Sequence, residues 1–317
     1  MLKTCVLALF TLAAAAAGCA AASNEGASGG QFLRIGVGAK ASALGEAAAT
    51  ISGAQSLFYN PAGLAAVTDT EVYFSQVKWI MDSNFSNLAL AKRAWGGVFG
   101  LGIGYLSNPS TDKYDKFGTK LAQTYSASDM AVTMSYGNRL APRANFGVSL
   151  KYLSSKLEDA SATAMTLDAG VKYAALPGKL VFGFALQNVG GTLTYLSSSD
   201  TLPMNVKLGA QYAVNLDNNS ATKKDLTFFT DVNNMKDSGS YANLGADLTS
   251  VYDKDTTFSL RAGYRTNAGG SAGFAGGLGV DMKKYIIEYA YAPMGDLGNA
   301  HRFSVTVKFG FSKSAAN

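Results

Sequence analysis

The side chains that could do acid–base chemistry in this chain are few. His301 is the single histidine among 317 residues, and it stands in Asn299-Ala300-His301-Arg302-Phe303-Ser304. A hydrolase that uses a Ser–His pair needs an imidazole as its base, so His301 with Ser304 and Asn299 is the set to weigh. The simpler reading is that His301 is an interfacial or loop residue that starts a strand. Metal chemistry would fall to carboxylates, because the two cysteines, Cys5 and Cys19, lie at the extreme N-terminus. Asp112/Asp115 and Asp253/Asp255 have no specific ligand spacing and read as solvated hairpin tips. Gly100-Leu101-Gly102-Ile103-Gly104 is no phosphate loop, since neither Lys-Ser/Thr nor a helix follows it. The expectation is a protein that is not an enzyme, with no catalytic residue, no metal and no cofactor.

Charge offers a second kind of chemistry. The net charge is +5, but the basic residues are spread among segments rather than clustered, which argues against a nucleic-acid partner. Lys151, Lys172, Lys207, Arg261 and Lys308 are each flanked by apolar residues at i ± 1, Arg265 follows Tyr264 on the same parity as Arg261, and fewer acids, such as Asp168 and Glu288, occupy equivalent places. What these charges do depends on the elements that carry them.

Those elements alternate with period two from about residue 71 onward, the signature of strands with unlike faces. Phe303, Val305, Val307, Phe309 and Phe311 interleave with Ser304, Thr306, Lys308 and Gly310; Phe146, Val148, Leu150 and Tyr152 do the same with Gly147, Ser149 and Lys151. A soluble sandwich with its apolar faces inward shares this pattern. Strands of ten or more residues, Tyr at strand ends and Gly on the polar face fit a transmembrane barrel better. Turn signals divide the chain into fourteen runs, the first at 71–79 and the last at 301–311. Short connections, such as Ala94-Trp95 and Met282-Lys283, then fall after even-numbered strands. Longer ones, 107–123 and 189–202, fall after odd-numbered strands, with 215–224 and the turn at 80–82 as exceptions. The fold class expected is all-β: an antiparallel transmembrane barrel of about 14 strands.

In such a barrel the apolar faces meet lipid, and Lys151, Asp168, Lys172, Lys207, Arg261, Arg265, Glu288 and Lys308 point into the lumen. They either pair with one another and with whatever fills the lumen, or attract an anionic solute or the carboxylate of an amphipathic ligand. The composition agrees with this class: 48% of residues are hydrophobic and only 15% charged, with 35 Gly, 16 Tyr and 17 Phe. Disorder is excluded by that balance.

The N-terminus has the layout of a secretory signal: Lys3, an apolar run from Cys5 to Ala17, then small residues to Ala22. Cleavage after Ala22 is the preferred reading, with lipoprotein processing at Cys19 as the rival. The uncharged stretches Ala47 to Thr68 and Ala94 to Thr111 contain Asn60-Pro61 and alternating glycines, so neither reads as a spanning helix. Export without such a helix points to the bacterial outer membrane. Residues 31–68 do not alternate and are rich in small residues, which suits a plug packed inside the barrel. Within them Ala43 to Ala49 could form a short helix. Asn60-Pro61-Ala62-Gly63-Leu64 opens another turn, with Asn as the cap and Pro in the first helical position. The organisation expected is therefore a signal at 1–22, a plug at 23–70, a barrel at 71–311 and a short tail at 312–317.

The strings FLRIGVGAKASALGEA (Phe32 to Ala47) and FYNPAGLAAV (Phe58 to Val67) resemble the N-terminal signature of the PorV/PorQ family, which is related to the FadL-type barrels. LQNVGG (Leu186 to Gly191), LPMNVKLGAQY (Leu202 to Tyr212), TDVNNMKDSGSYANLGADL (Thr230 to Leu248), LRAGYR (Leu260 to Arg265) and YAPMGDLGNAHRFSVTVKF (Tyr291 to Phe309) extend the resemblance across nearly the whole mature chain. It implies a fourteen-stranded outer-membrane barrel with an internal plug. It also implies an accessory role in type IX-like protein export, with secretion-system proteins or exported cargo as partners and the loops at 107–123 and 189–202 as docking surface. The alternative is a FadL-like passive channel for hydrophobic or amphipathic molecules, with Asn60 to Leu64 in a movable hatch; a purely structural barrel is a third reading. The tail after Phe311 departs from the aromatic C-terminus of many such barrels.

Overall fold

A computed structural model describes residues 28–195, 198–217, 223–266 and 273–310. The signal at 1–22, both cysteines, Phe311 and the tail at 312–317 lie outside the described residues. The strands, in chain order, are β1 (Thr70–Lys78), β2 (Asn84–Ala94), β3 (Gly97–Ser107), β4 (Thr111–Tyr114), β5 (Lys120–Tyr125) and β6 (Ala127–Ala141). There follow β7 (Ala144–Leu157), β8 (Ala160–Leu176), β9 (Leu180–Val189), β10 (Thr192–Tyr195), β11 (Ser198–Thr201) and β12 (Asn205–Asp217). The last six are β13 (Lys224–Met235), β14 (Gly239–Val251), β15 (Thr256–Arg265), β16 (Gly273–Met282), β17 (Tyr285–Pro293) and β18 (Asn299–Phe309). Fourteen of these close into one antiparallel barrel by the pairing of β1 with β18; β4–β5 and β10–β11 are separate hairpins.

Alternation becomes orientation in this barrel. On β3, Phe99, Leu101, Ile103 and Tyr105 are exposed while Gly100, Gly102 and Gly104 are buried. A closed sheet whose outer face is apolar and whose inner face is polar is stable only in lipid, so the chain is an outer-membrane barrel and the sandwich reading is excluded. Aromatic side chains gather at the two ends, as amphipathic rings do at membrane interfaces. At the end with tight turns, Trp95, Phe99, Tyr136 and Phe146 form a chain with ring centroids 5.5, 5.1 and 6.1 Å apart. Trp95 (φ 48°) and Gly96 (φ 83°) make the two-residue turn between β2 and β3, in the geometry that matches strand twist. The two hairpins sit at the opposite end, which is extracellular by the usual sidedness of these barrels, while the β12–β13 connection is the longer one at the tight-turn end.

Residues 28–67 pack inside. They form a five-residue helix, α1 (Ala39–Ala43), and 3-10 turns at Gln31–Arg34, Ala54–Phe58 and Pro61–Ala66. The helix lies at 39–43 rather than the expected 43–49. Gly45 and Glu46 both take positive φ (64° and 67°), which ends it, and the Ala48 and Ala49 amides are turned to a wall carboxylate, Asp231.

Candidate functional site: the filled lumen

Close approach of the segment to the wall depends on missing side chains. A methyl group on Gly102 would meet Leu57, on Gly147 Pro61, on Gly170 Asn60, on Gly183 Ala49, on Gly245 Leu44 and on Gly277 Ala43. These glycines lie on inward positions of six strands, so the segment is seated around much of the circumference. Leu44, Ala47, Ala48, Leu57, Ala62 and Leu64 have no exposed surface.

Asn60 ties the segment to the wall. Its Oδ1 accepts the Ala62 amide (3.1 Å) and caps the turn that Pro61 begins. Its Nδ2 donates to Ala49 O at 2.8 Å and to the strand carbonyls of Phe184 at 3.2 Å and Val171 at 3.3 Å. Pro61, Ala62, Gly63 and Leu64 are all buried behind it. Asp231 does the converse from the wall: its Oδ2 accepts the Ala48 and Ala49 amides at 2.6 and 2.8 Å, with Lys207 Nζ 3.9 Å away.

The inward charges are mostly satisfied. Lys151 lies 2.6 Å from Asp168 and donates to Asn188 Oδ1 at 2.9 Å. Lys172 donates to Ile51 O (3.0 Å) and Ser52 Oγ (2.6 Å). Arg261 bridges Asp247 (2.9 Å) and Glu288 (2.8 Å), and Lys308 pairs with Asp281 at 3.0 Å nearer the periplasmic end. Buried ions in low dielectric demand such partners. Arg265 differs: its guanidinium stacks on Tyr241 (4.8 Å), its Nε is buried without a hydrogen-bond partner, and among the described residues it has no carboxylate partner. Glu46, Asp231, Asp247 and Arg302 belong to the same network but were not singled out in the sequence. Arg302 and Asp247 stand in register with residues already recognised as inward, since Arg302 is two residues before Ser304 and Asp247 pairs with Arg261. Strand parity would have found both; nothing local marks Glu46.

His301 and Ser304 point to opposite faces. His301 Nδ1 meets Tyr289 Oη at 2.8 Å on the exposed side, whereas Ser304 Oγ accepts the Ala39 amide at 2.7 Å in the lumen. Asn299 Oδ1 accepts from Tyr291 Oη (2.8 Å). The carboxylates of the loops shape turns: Asp115 Oδ1 accepts the Phe117 and Thr119 amides at 2.8 and 2.9 Å, and Asp253 Oδ1 accepts the Asp255 amide at 2.8 Å. The Thr119 and Phe117 amides hold the Asp115 carboxyl below its ordinary range.

Cavities remain beside the segment, two of them lined by the inward charges. One, of about 80 Å³ in the extracellular half, is bounded by Phe32, Leu33, Ile35, Phe58 and Phe85 and by Lys151, Lys207 and Arg265. The other, of about 330 Å³ in the periplasmic half, is polar and includes Glu71, Asp247, Arg261, Asp281, Glu288 and Lys308. Above the first cavity the β10–β11 hairpin folds inward. Leu193 and Leu202 are buried with Phe32, and Gly29 N donates to Thr201 O at 3.0 Å.

This arrangement has solved counterparts. The toluene transporter TbuX of Ralstonia pickettii superposes with a TM-score of 0.58 at 13% identity, over 87% of this chain and 99% of that one. The toluene transporter TodX of Pseudomonas putida gives 0.54 at 13% identity, over 86% and 96%. The barrel shares its fold with these two proteins. At such identity the likeness is one of fold. No protein-family model and no curated relative matches the sequence, and the resemblance to the PorV/PorQ family gains nothing from either comparison.

Proposed function

We propose that the chain is a non-enzymatic outer-membrane channel for hydrophobic or amphipathic small molecules. The observation that carries this reading is the mixed cavity in the extracellular half of the lumen, where the apolar Phe32, Leu33 and Phe58 meet four cations, Arg34, Lys151, Lys207 and Arg265, and one acid, Glu46. Among the described residues Arg265 is the cation of this cavity without a carboxylate partner, because Arg34, Lys151 and Lys207 each face an aspartate. An apolar tail with an anionic head matches that lining. The fold shared with two proteins described as toluene transporters supports the same class of ligand. The export reading has less behind it: of the two loops expected to receive protein partners, the described part of the one at 189–202 is anchored to the N-terminal segment through Leu193 and Leu202, both buried.

Uptake of labelled oleate and labelled toluene by cells that make the protein, compared with cells that do not, tests the proposal. Both labels should enter faster when the protein is present. Arg265→Gln should slow oleate by about tenfold, the worth of one charge-assisted hydrogen bond, and leave toluene unchanged. Uptake that is independent of the protein for both labels would refute the proposal.

A further inference from the structure

Among the described residues, five carboxamide side chains line the mixed cavity in the extracellular half of the lumen: Asn87, Gln187, Asn188, Asn205 and Asn243. Four of them hydrogen-bond to the protein. Asn188 accepts from Lys151 and donates to Pro203 O, Gln187 donates to Phe58 O and accepts from Asn205, Asn205 donates also to Asn233, and Asn243 donates to Glu46 O. Asn87 differs: it is 1% exposed, and among the described residues neither its Oδ1 nor its Nδ2 has a hydrogen-bond partner. Its strand neighbours leave it open. Ser75, paired with it on β1, has an unpartnered hydroxyl of its own, and Gly104, paired with it on β3, has no side chain where a Cβ would stand 2.9 Å from Asn87 Oδ1.

The surroundings of this amide are apolar. Phe85 lies two residues before it on the same face of β2, its ring edge to face with Phe32 at 6.5 Å, and Phe58 and Ala131 line the same cavity. A buried carboxamide with both atoms open is costly, and it is matched by a group that both donates and accepts. A carboxylate would satisfy Nδ2 and set Oδ1 against another acceptor. An ammonium would be repelled by the cations around the cavity, and a hydrocarbon would satisfy neither atom. We propose that Asn87 is a polar subsite of the cavity and binds the uncharged hydroxyl of an alcohol or phenol whose apolar body lies against Phe32 and Phe85. The inference rests on the channel reading and adds a specificity-determining residue to it: Asn87 on β2 takes a neutral head where Arg265 on β15 takes an anionic one.

Binding of labelled 4-methylphenol and labelled toluene, which differ by one hydroxyl, tests the assignment, with the purified protein in lipid nanodiscs and empty discs as the blank. At pH 7 the phenol is uncharged. The wild type should bind 4-methylphenol about tenfold more tightly than toluene. Asn87→Leu, which keeps the branched shape without the polar atoms, should bind the two alike and toluene at least as well as the wild type does. Its urea midpoint should not fall, because the side chain it replaces has no hydrogen bond to lose; a fall would show that Asn87 is structural and overturn the proposal. Should Asn87→Leu fail the heat-modifiable gel shift, the wild-type comparison decides alone. Toluene bound as tightly as 4-methylphenol by the wild type, or a preference kept by Asn87→Leu, would overturn the subsite and leave the channel reading standing. Failure of the wild type to bind either solute would overturn both.

Discussion

Asn60 joins three parts of the molecule through one amide: it caps its own turn and bonds Ala49 and two strand carbonyls, with no exposed surface. Its place in a turn was legible from Asn-Pro, but its wall partners were not, because they lie 111 and 124 residues away. Asn60→Ala would strip buried carbonyls of their donor, a loss of about 1–3 kcal/mol. Urea unfolding in detergent should show a lower midpoint, and chymotrypsin should cut 28–67 faster while the barrel stays resistant. Gly170→Val should give the same protease pattern, because its side chain would occupy the space of Asn60 Oδ1. The inward charges could be read from strand parity alone. Their pairing could not, since a pair such as Arg261 and Glu288 depends on the register of strands 27 residues apart.

At the scale of elements, the strands were readable because lipid outside and a crowded lumen inside impose opposite demands on alternate residues. The expected runs at 144–156, 225–235 and 240–251 differ from β7, β13 and β14 by a residue at most. The N-terminal segment resisted such reading. Its residues are small on every side because wall surrounds it, so no periodicity marks a face, and the helix expected at 43–49 was displaced by Gly45 and by the Asp231 carboxylate. Its outer end is held by a latch: Gln31 Nε2 donates to Asp237 at 3.0 Å, Ser28 Oγ donates to the same carboxylate, and Arg34 lies 3.8 Å away. Burial pushes the Asp237 carboxyl up, but the bonds from Ser28 and Gln31 and the Arg34 charge outweigh it and hold it below the ordinary range. A depressed carboxyl contributes its stabilisation fully above the unfolded aspartate value of about 3.9 and loses it as pH falls through the lower folded value. A nitroxide on Leu33→Cys should therefore be immobile at neutral pH and gain mobility in acid. In Asp237→Ala it should be mobile at both pH values.

For the whole molecule, the scarcity of charge and the abundance of glycine have one cause: an outer face that meets lipid and an inner face that must admit a packed polypeptide. A barrel of fourteen strands has a lumen that side chains alone do not fill, and here residues 28–67 occupy it through the glycine contacts, Asn60 and Asp231. The central claim is that the protein's own N-terminal segment seals a lipid-embedded barrel. Conductance across a planar lipid bilayer tests it most directly, using the wild type and a variant lacking residues 28–67 that passes the heat-modifiable gel shift. The wild type should show at most brief, small openings, and the deletion a large and steady open conductance. A wild type that conducts steadily, or a folded deletion that stays closed, would contradict the account.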